Sequence, residues 1–117
     1  MRIYNRYTKE LIIEVEKNQG GIYDLAGADL SDADLAKADL AGANLVGTNL
    51  AWAKLAGANL TGVDLEGAIL AGAKLAWANL TGAKLAWVNL TGANLVGAKL
   101  ADACLAGTIM PNGERHS

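Results

Sequence analysis

A chain of 117 residues with a net charge of −2 supplies material for one domain, and its single Cys rules out an internal disulfide framework. It carries no charged-plus-apolar leader and no apolar run of about 18 residues, so the composition predicts a soluble cytoplasmic protein. Fourteen Gly and many Ala could signal low complexity, but an apolar Leu held in phase over most of the chain is the opposite of a solvated tract.

Residues 1–22 stand outside the periodic region and form an N-terminal cap. Tyr4, Tyr7, Leu11, Ile12 and Val15 share one helical face that ends at Gly20-Gly21, which predicts a helix. Leu11, Ile13 and Val15 also alternate in a β-branched run, so a strand remains the competing reading.

From Leu25 to Leu105 a Leu recurs at every fifth position without a gap. Five residues advance an α-helix about 140° past a full turn, which would smear the leucines around the cylinder. On a continuous strand an odd repeat puts alternate leucines on opposite faces. The chain must therefore turn a corner once per unit and present the same face inward again, as a solenoid does. Each of the 17 units in residues 23–107 reads small, polar, Leu, variable and usually Gly, as in Ala43-Asn44-Leu45-Val46-Gly47. The small residue and the Leu point inward, the polar residue between them points out, and the last two make the corner. Leu25, Leu45, Leu65, Leu85 and Leu105 belong to the expected structural core. Thr48 carries an inward hydroxyl that requires a backbone partner. Trp52, Trp77 and Trp87 replace the usual corner Gly, from which we expect that the corner does not strictly demand a positive φ there.

Residues 108–117 are a degenerate last unit, with Met110 in the Leu position, followed by a polar tail. Pro111 and Asn112-Gly113 end the ladder, and His116 is expected to be disordered. The C-terminal end is predicted to be barely covered, so any homodimer is expected to use it.

The unit resembles the pentapeptide repeat motif, often written A(D/N)LXX, over residues 23–107, and the tail Thr108-Ile-Met-Pro-Asn-Gly looks like the ending of small cyanobacterial-type members. The resemblance implies an all-β, right-handed quadrilateral β-helix with four units per coil. Units twenty residues apart then stack. Val63 lies between Ala43 and Ala83, Trp77 between Gly57 and Gly97, and Trp87 between Gly67 and Gly107, so each indole can simply cover a bare corner. Lys54 and Lys74 stack on the face that also carries Asp34 and Asn94, with Trp52 and Trp77 at its two edges. Aromatic anchors beside charge are typical of protein interfaces, which makes Trp52, Lys54, Lys74 and Trp77 the candidate interaction surface.

Catalytic chemistry finds little to build on. His116 lies near the terminus, and Cys104 sits at an outward position with neither a base nor an oxyanion loop in reach. There is no phosphate-cradling loop, no dinucleotide fingerprint and no zinc spacing, so neither enzyme activity nor a cofactor is expected. Asp24, Asp29, Asp34 and Asp39 fall on four different faces of the first coil, with Asp32 at a corner, which favours a solvated acidic end over a calcium site. Four outward lysines spread over three faces do not make the continuous basic stripe that direct nucleic-acid binding requires. The expected function is a non-catalytic scaffold or protein–protein interaction module, with another protein as partner and no membrane role. The alternative is a DNA mimic that binds a type II topoisomerase, similar to the gyrase-binding quinolone-resistance members of the family. A net charge of −2 and lysines in mid-rod speak against it.

Overall fold

The computed structural model describes residues 1–117. Its ladder is built from single-residue parallel bridges between positions twenty apart, from Asp24–Asn44 through to Asn89–Ile109. They sort into four columns. The first face carries Asp24, Asn44, Asp64, Lys84 and Cys104, and the second carries Asp29, Asn49, Ile69, Asn89 and Ile109. The third carries Asp34, Lys54, Lys74 and Asn94, and the fourth carries Asp39, Asn59, Asn79 and Lys99.

The five N–H groups of such a unit are fully accounted for, which explains why successive coils stack. Leu25 N–H donates to Asn44 O and Gly27 N–H to Val46 O, both at 2.8 Å in the next coil. Ala28 N–H closes the corner on Leu25 O at 3.0 Å, and Asn44 N–H reaches back one coil to Tyr23 O at 2.9 Å. The fifth N–H, on Ala26, is accepted by the side chain of Asp24 at 3.3 Å. The outward Asp or Asn is thus a corner clamp as well as a polar surface residue. Gly27 takes φ 71°, the left-handed conformation that the third residue of such a corner requires.

Inside, the leucines from Leu30 to Leu90 are sealed, with the small residues packed between them. Leu25, Leu45, Leu65 and Leu85 lie in this core, whereas Leu105 is only half-buried because it belongs to the last coil, together with Leu95 and Leu100. The Thr48 hydroxyl donates to Leu45 O at 2.9 Å, and the buried Thr108 does the same to Leu85 O at 2.6 Å.

The N-terminal cap is a β-hairpin, not the predicted helix. β1 (Arg2–Asn5) pairs antiparallel with β2 (Leu11–Glu14) and, on its other edge, with β3 (Ala33–Asp34) of the first coil. Ile3 is fully buried and plugs the end of the core, with Ile12, Ile13 and Val15 packed around it. β1 docks on the free strand edge of the first coil and in turn offers its outer edge to the β-branched run of β2, whereas a helix would leave the coil edge unpaired. A bulge between Ile3 and Tyr4 lets neighbouring Ile12 and Ile13 both turn toward the core.

The C-terminal tail is ordered, contrary to the expectation for His116. Met110 N–H donates to Glu114 O at 2.7 Å, Gly107 N–H to His116 O at 3.0 Å, and His116 N–H to Thr108 O at 2.7 Å. This hairpin covers the second face only. Leu95, Leu100 and Leu105, which close the other three faces, have N–H groups with no protein acceptor, so that part of the end stays open as expected.

Candidate functional site: the third face

The third face brings together all four residues singled out in the sequence. Lys54 and Lys74 are bridged neighbours between Asp34 and Asn94, and both side chains are exposed. Trp52 stands at the corner entering this face and Trp77 at the corner leaving it, 58% and 72% exposed. Neither lysine forms an ion pair.

The structure extends the face beyond what the sequence showed. Tyr4 pairs with Asp34 on one side and with Leu11 on the other, so these three side chains share the outer surface. Tyr4 is 40% and Leu11 51% exposed, which adds an apolar foot below the charged column. Reading the cap as a helix hid this continuation. Arg6 fastens the foot to the barrel by donating to Trp52 O at 2.9 Å, and its own N–H donates to Asp32 O at 2.7 Å.

Two local penalties fall on this face, and both recur on the first face, at Trp87 and at the unclamped corners past Lys84 and Cys104. Trp52 and Trp77 take φ 62° and 63°, as does Trp87, so the corner does impose the left-handed conformation on them and the sequence expectation is corrected. That conformation costs an L-residue about 1–2 kcal/mol. What offsets it is contact. Each indole lies over the glycine one coil above, so a Cβ built on Gly72 would lie 2.5 Å from Trp52 Cζ3. The same construction on Gly97 and on Gly107 meets Trp77 Cδ2 and Trp87 Cε3, each at 2.5 Å. The stacking of aromatic over bare corner expected for Trp77 and Trp87 is therefore present, and Trp52 over Gly72 adds a third instance.

The second penalty concerns the lysines. Lys cannot accept the corner N–H that Asp and Asn accept, and the N–H groups of Ala56 and Ala76, two residues past Lys54 and Lys74, have no protein acceptor. A neutral hydrogen bond of this kind contributes about 0.5–1.5 kcal/mol. Neither the lysines nor the tryptophans are the residues the corner itself favours.

The remaining candidates are not brought together. Trp87 occupies a corner of the first face and is engaged by the tail, with the Arg115 guanidinium 5.6 Å from its ring centroid. Cys104 is an exposed free thiol. Asp24, Asp29, Asp34 and Asp39 each clamp their own corner N–H, and no three potential metal-ligating side chains converge. Asp29 also accepts from the Ser31 hydroxyl at 2.7 Å, which, with the Ser31 N–H, holds its carboxyl below the usual carboxylate pKa. One shallow, open depression lies under the tail, lined by Met110, Pro111, Glu114, Arg115, His116 and Ser117.

The family model for pentapeptide repeats matches in 8 copies across residues 24–50, 48–85 and 78–112. The chain belongs to the pentapeptide repeat family. Among solved structures it is similar to HetL of the cyanobacterium Nostoc sp. strain PCC 7120, a pentapeptide repeat protein involved in heterocyst differentiation regulation. They are 47% identical with a TM-score of 0.67, over 80% of this chain and 43% of HetL. A second Nostoc pentapeptide repeat protein is 46% identical with a TM-score of 0.68, over 72% of this chain and 71% of its own. A pentapeptide repeat protein from the Arabidopsis thaliana thylakoid lumen is 38% identical with a TM-score of 0.71, over 74% of this chain and 60% of its own. The chain thus spans less than half the length of HetL. None of the curated proteins matches it. No helix is long and apolar enough to cross a membrane.

Proposed function

We propose that this chain is a non-catalytic scaffold, a right-handed quadrilateral rod whose third face docks another protein in the cytoplasm. The observation that carries the reading is the clustering of Trp52, Lys54, Lys74 and Trp77, which the corners do not favour, on one exposed face. A packed Leu/Ala interior leaves only the outer skin to meet other molecules. Similarity to HetL, a protein involved in heterocyst differentiation regulation, supports a regulatory role, without naming a partner for this chain. The DNA-mimic alternative is supported by less, since the four clamping carboxylates of the first coil point away from one another and lysines interrupt the faces above them.

The test is affinity capture from the native organism with three baits: the unaltered chain, a Trp52→Ala/Trp77→Ala variant and a Lys99→Asn variant on the fourth face. A partner lost only with the Trp variant supports the reading. One retained by all three removes the third face, and inhibition of gyrase supercoiling by the purified chain would favour the mimic.

Self-association, where it occurs, is proposed to use the open C-terminal end, where Leu95, Leu100 and Leu105 are half-buried. Analytical ultracentrifugation of Leu100→Glu is the check, with a dimer expected to dissociate.

A further inference from the structure

This inference rests on the interaction-module reading and names the chemistry of its partner. We propose that the third face binds a short acidic protein segment. Its neighbouring carboxylates lie against Lys54 and Lys74, and its apolar side chains lie on the open faces of the Trp52 and Trp77 indoles.

Charge singles this face out. Along the first face Asp24 and Asp64 outnumber Lys84, the second has Asp29 and no lysine, and the fourth balances Asp39 with Lys99. Only the third has more cations than carboxylates, Lys54 and Lys74 against Asp34. Both lysines are bridged neighbours, so their side chains rise from adjacent coils about 4.8 Å apart. Like charges stacked this way repel until an anion is placed between them. No carboxylate of the chain fills that role, because the sole ion pair is Arg2 with Glu14 on the hairpin.

The flanking rings are available as well. Trp87 has a guanidinium stacked near its ring, whereas no cation of the chain covers Trp52 or Trp77. With one side of each indole packed on glycine backbone, the other remains for a ligand's apolar group. Above the lysines, Asn94 spends its carbonyl oxygen on Val96 N–H at 3.0 Å and keeps its amide N–H groups to donate to a peptide carbonyl.

The same layout disfavours nucleic acid. A strand following this column would run from the lysines onto Asp34 and the acidic first coil, and a polyanion gains nothing there. The positive patch is two coils tall, which suits a short segment with charge at its centre and apolar residues at its ends.

The experiment titrates the full chain into fluorescein-labelled Gly-Leu-Glu-Asp-Glu-Leu-Gly and follows anisotropy. The amide peptide Gly-Leu-Gln-Asn-Gln-Leu-Gly and a short oligouridylate serve as parallel probes. The acidic peptide should bind about tenfold or more tighter than either. Lys54→Asn/Lys74→Asn should lose that advantage without lowering the thermal midpoint, because Asn restores both corner clamps. Lys99→Asn should change nothing. Equal binding of acidic and amide peptides, full binding by the double Asn variant, or tighter binding of the oligouridylate each overturns the proposal. Where the double Asn variant still captures a native partner that the Trp variant loses, the acidic-segment inference fails while the docking module stands.

Discussion

The third and fourth faces share one backbone and one period, yet they treat their corners differently. On the fourth face Asp39, Asn59 and Asn79 clamp the N–H groups of Ala41, Thr61 and Thr81, and the following corners carry Gly42, Gly62 and Gly82. On the third, two successive clamps are missing at Lys54 and Lys74, and Trp77 occupies a left-handed corner. The fourth face departs from its clamped pattern only in the last coil, where Lys99 leaves Ala101 N–H without a protein acceptor and Asp102 takes φ 59°. On the third face the departures sit in mid-rod and need another explanation. The comparison separates residues that build the rod from residues the rod carries.

The sharpest way to break that separation is in the core, where the two faces should behave alike. Leu55→Ala under the third face and Leu60→Ala under the fourth remove equally sealed side chains. Each should cost about 2–5 kcal/mol by urea denaturation. A much smaller loss at Leu55 would mean that the third face is loosely built and that its surface residues compensate.

Next in size is the pair of corners Gly97 and Gly82. Ala at Gly82 has nothing within 4 Å and meets only the left-handed penalty, φ 70°, about 1–2 kcal/mol. Ala at Gly97, φ 71°, also drives a methyl into the Trp77 ring and should destabilise more. A Trp77→Gly background should bring the two costs together, as thermal denaturation of the four variants will show.

How much of this was legible in the sequence follows from where each constraint lies. The five-residue period and the inward Thr48 are local to the repeat, so the spacing of named residues exposed them, whereas the stacking of Trp over Gly followed only from the four units per coil that the family resemblance implies. The hairpin cap was not, because its decisive partner is Ala33–Asp34, far along the chain, and the bulge at Ile3/Tyr4 obscures strand alternation. Tyr4 and Leu11 were consequently missed as part of the third face. The left-handed tryptophans were misjudged because residue identity reports preference, whereas the corner imposes its conformation and contact with the glycine above offsets the strain. The clamp was available as a signal in the restriction of most outward positions to Asp or Asn, residues that accept an N–H two positions on.

A smaller effect comes from transplanting the defect. Asn79→Lys should unclamp Thr81, now held by Asn79 at 3.0 Å, and lower stability by about 0.5–1.5 kcal/mol. Amide exchange at Thr81 should accelerate in step.

The smallest is a pH dependence. Because the folded Asp29 carboxyl titrates below its unfolded value of 3.8, its contribution is fully present above that value. It fades as the pH falls through the lower folded value. Ser31→Ala should shrink this acid-limb loss slightly in denaturation curves recorded across that range, while leaving the neutral-pH fold intact.

The most direct test is urea denaturation of Lys54→Asn/Lys74→Asn, read together with amide exchange at Ala56 and Ala76. If the lysines are carried by the rod rather than required by it, the midpoint rises and both amides gain protection. A lower midpoint, with Ala56 and Ala76 exchanging as before, would show that the lysines hold the coil together and would contradict the account.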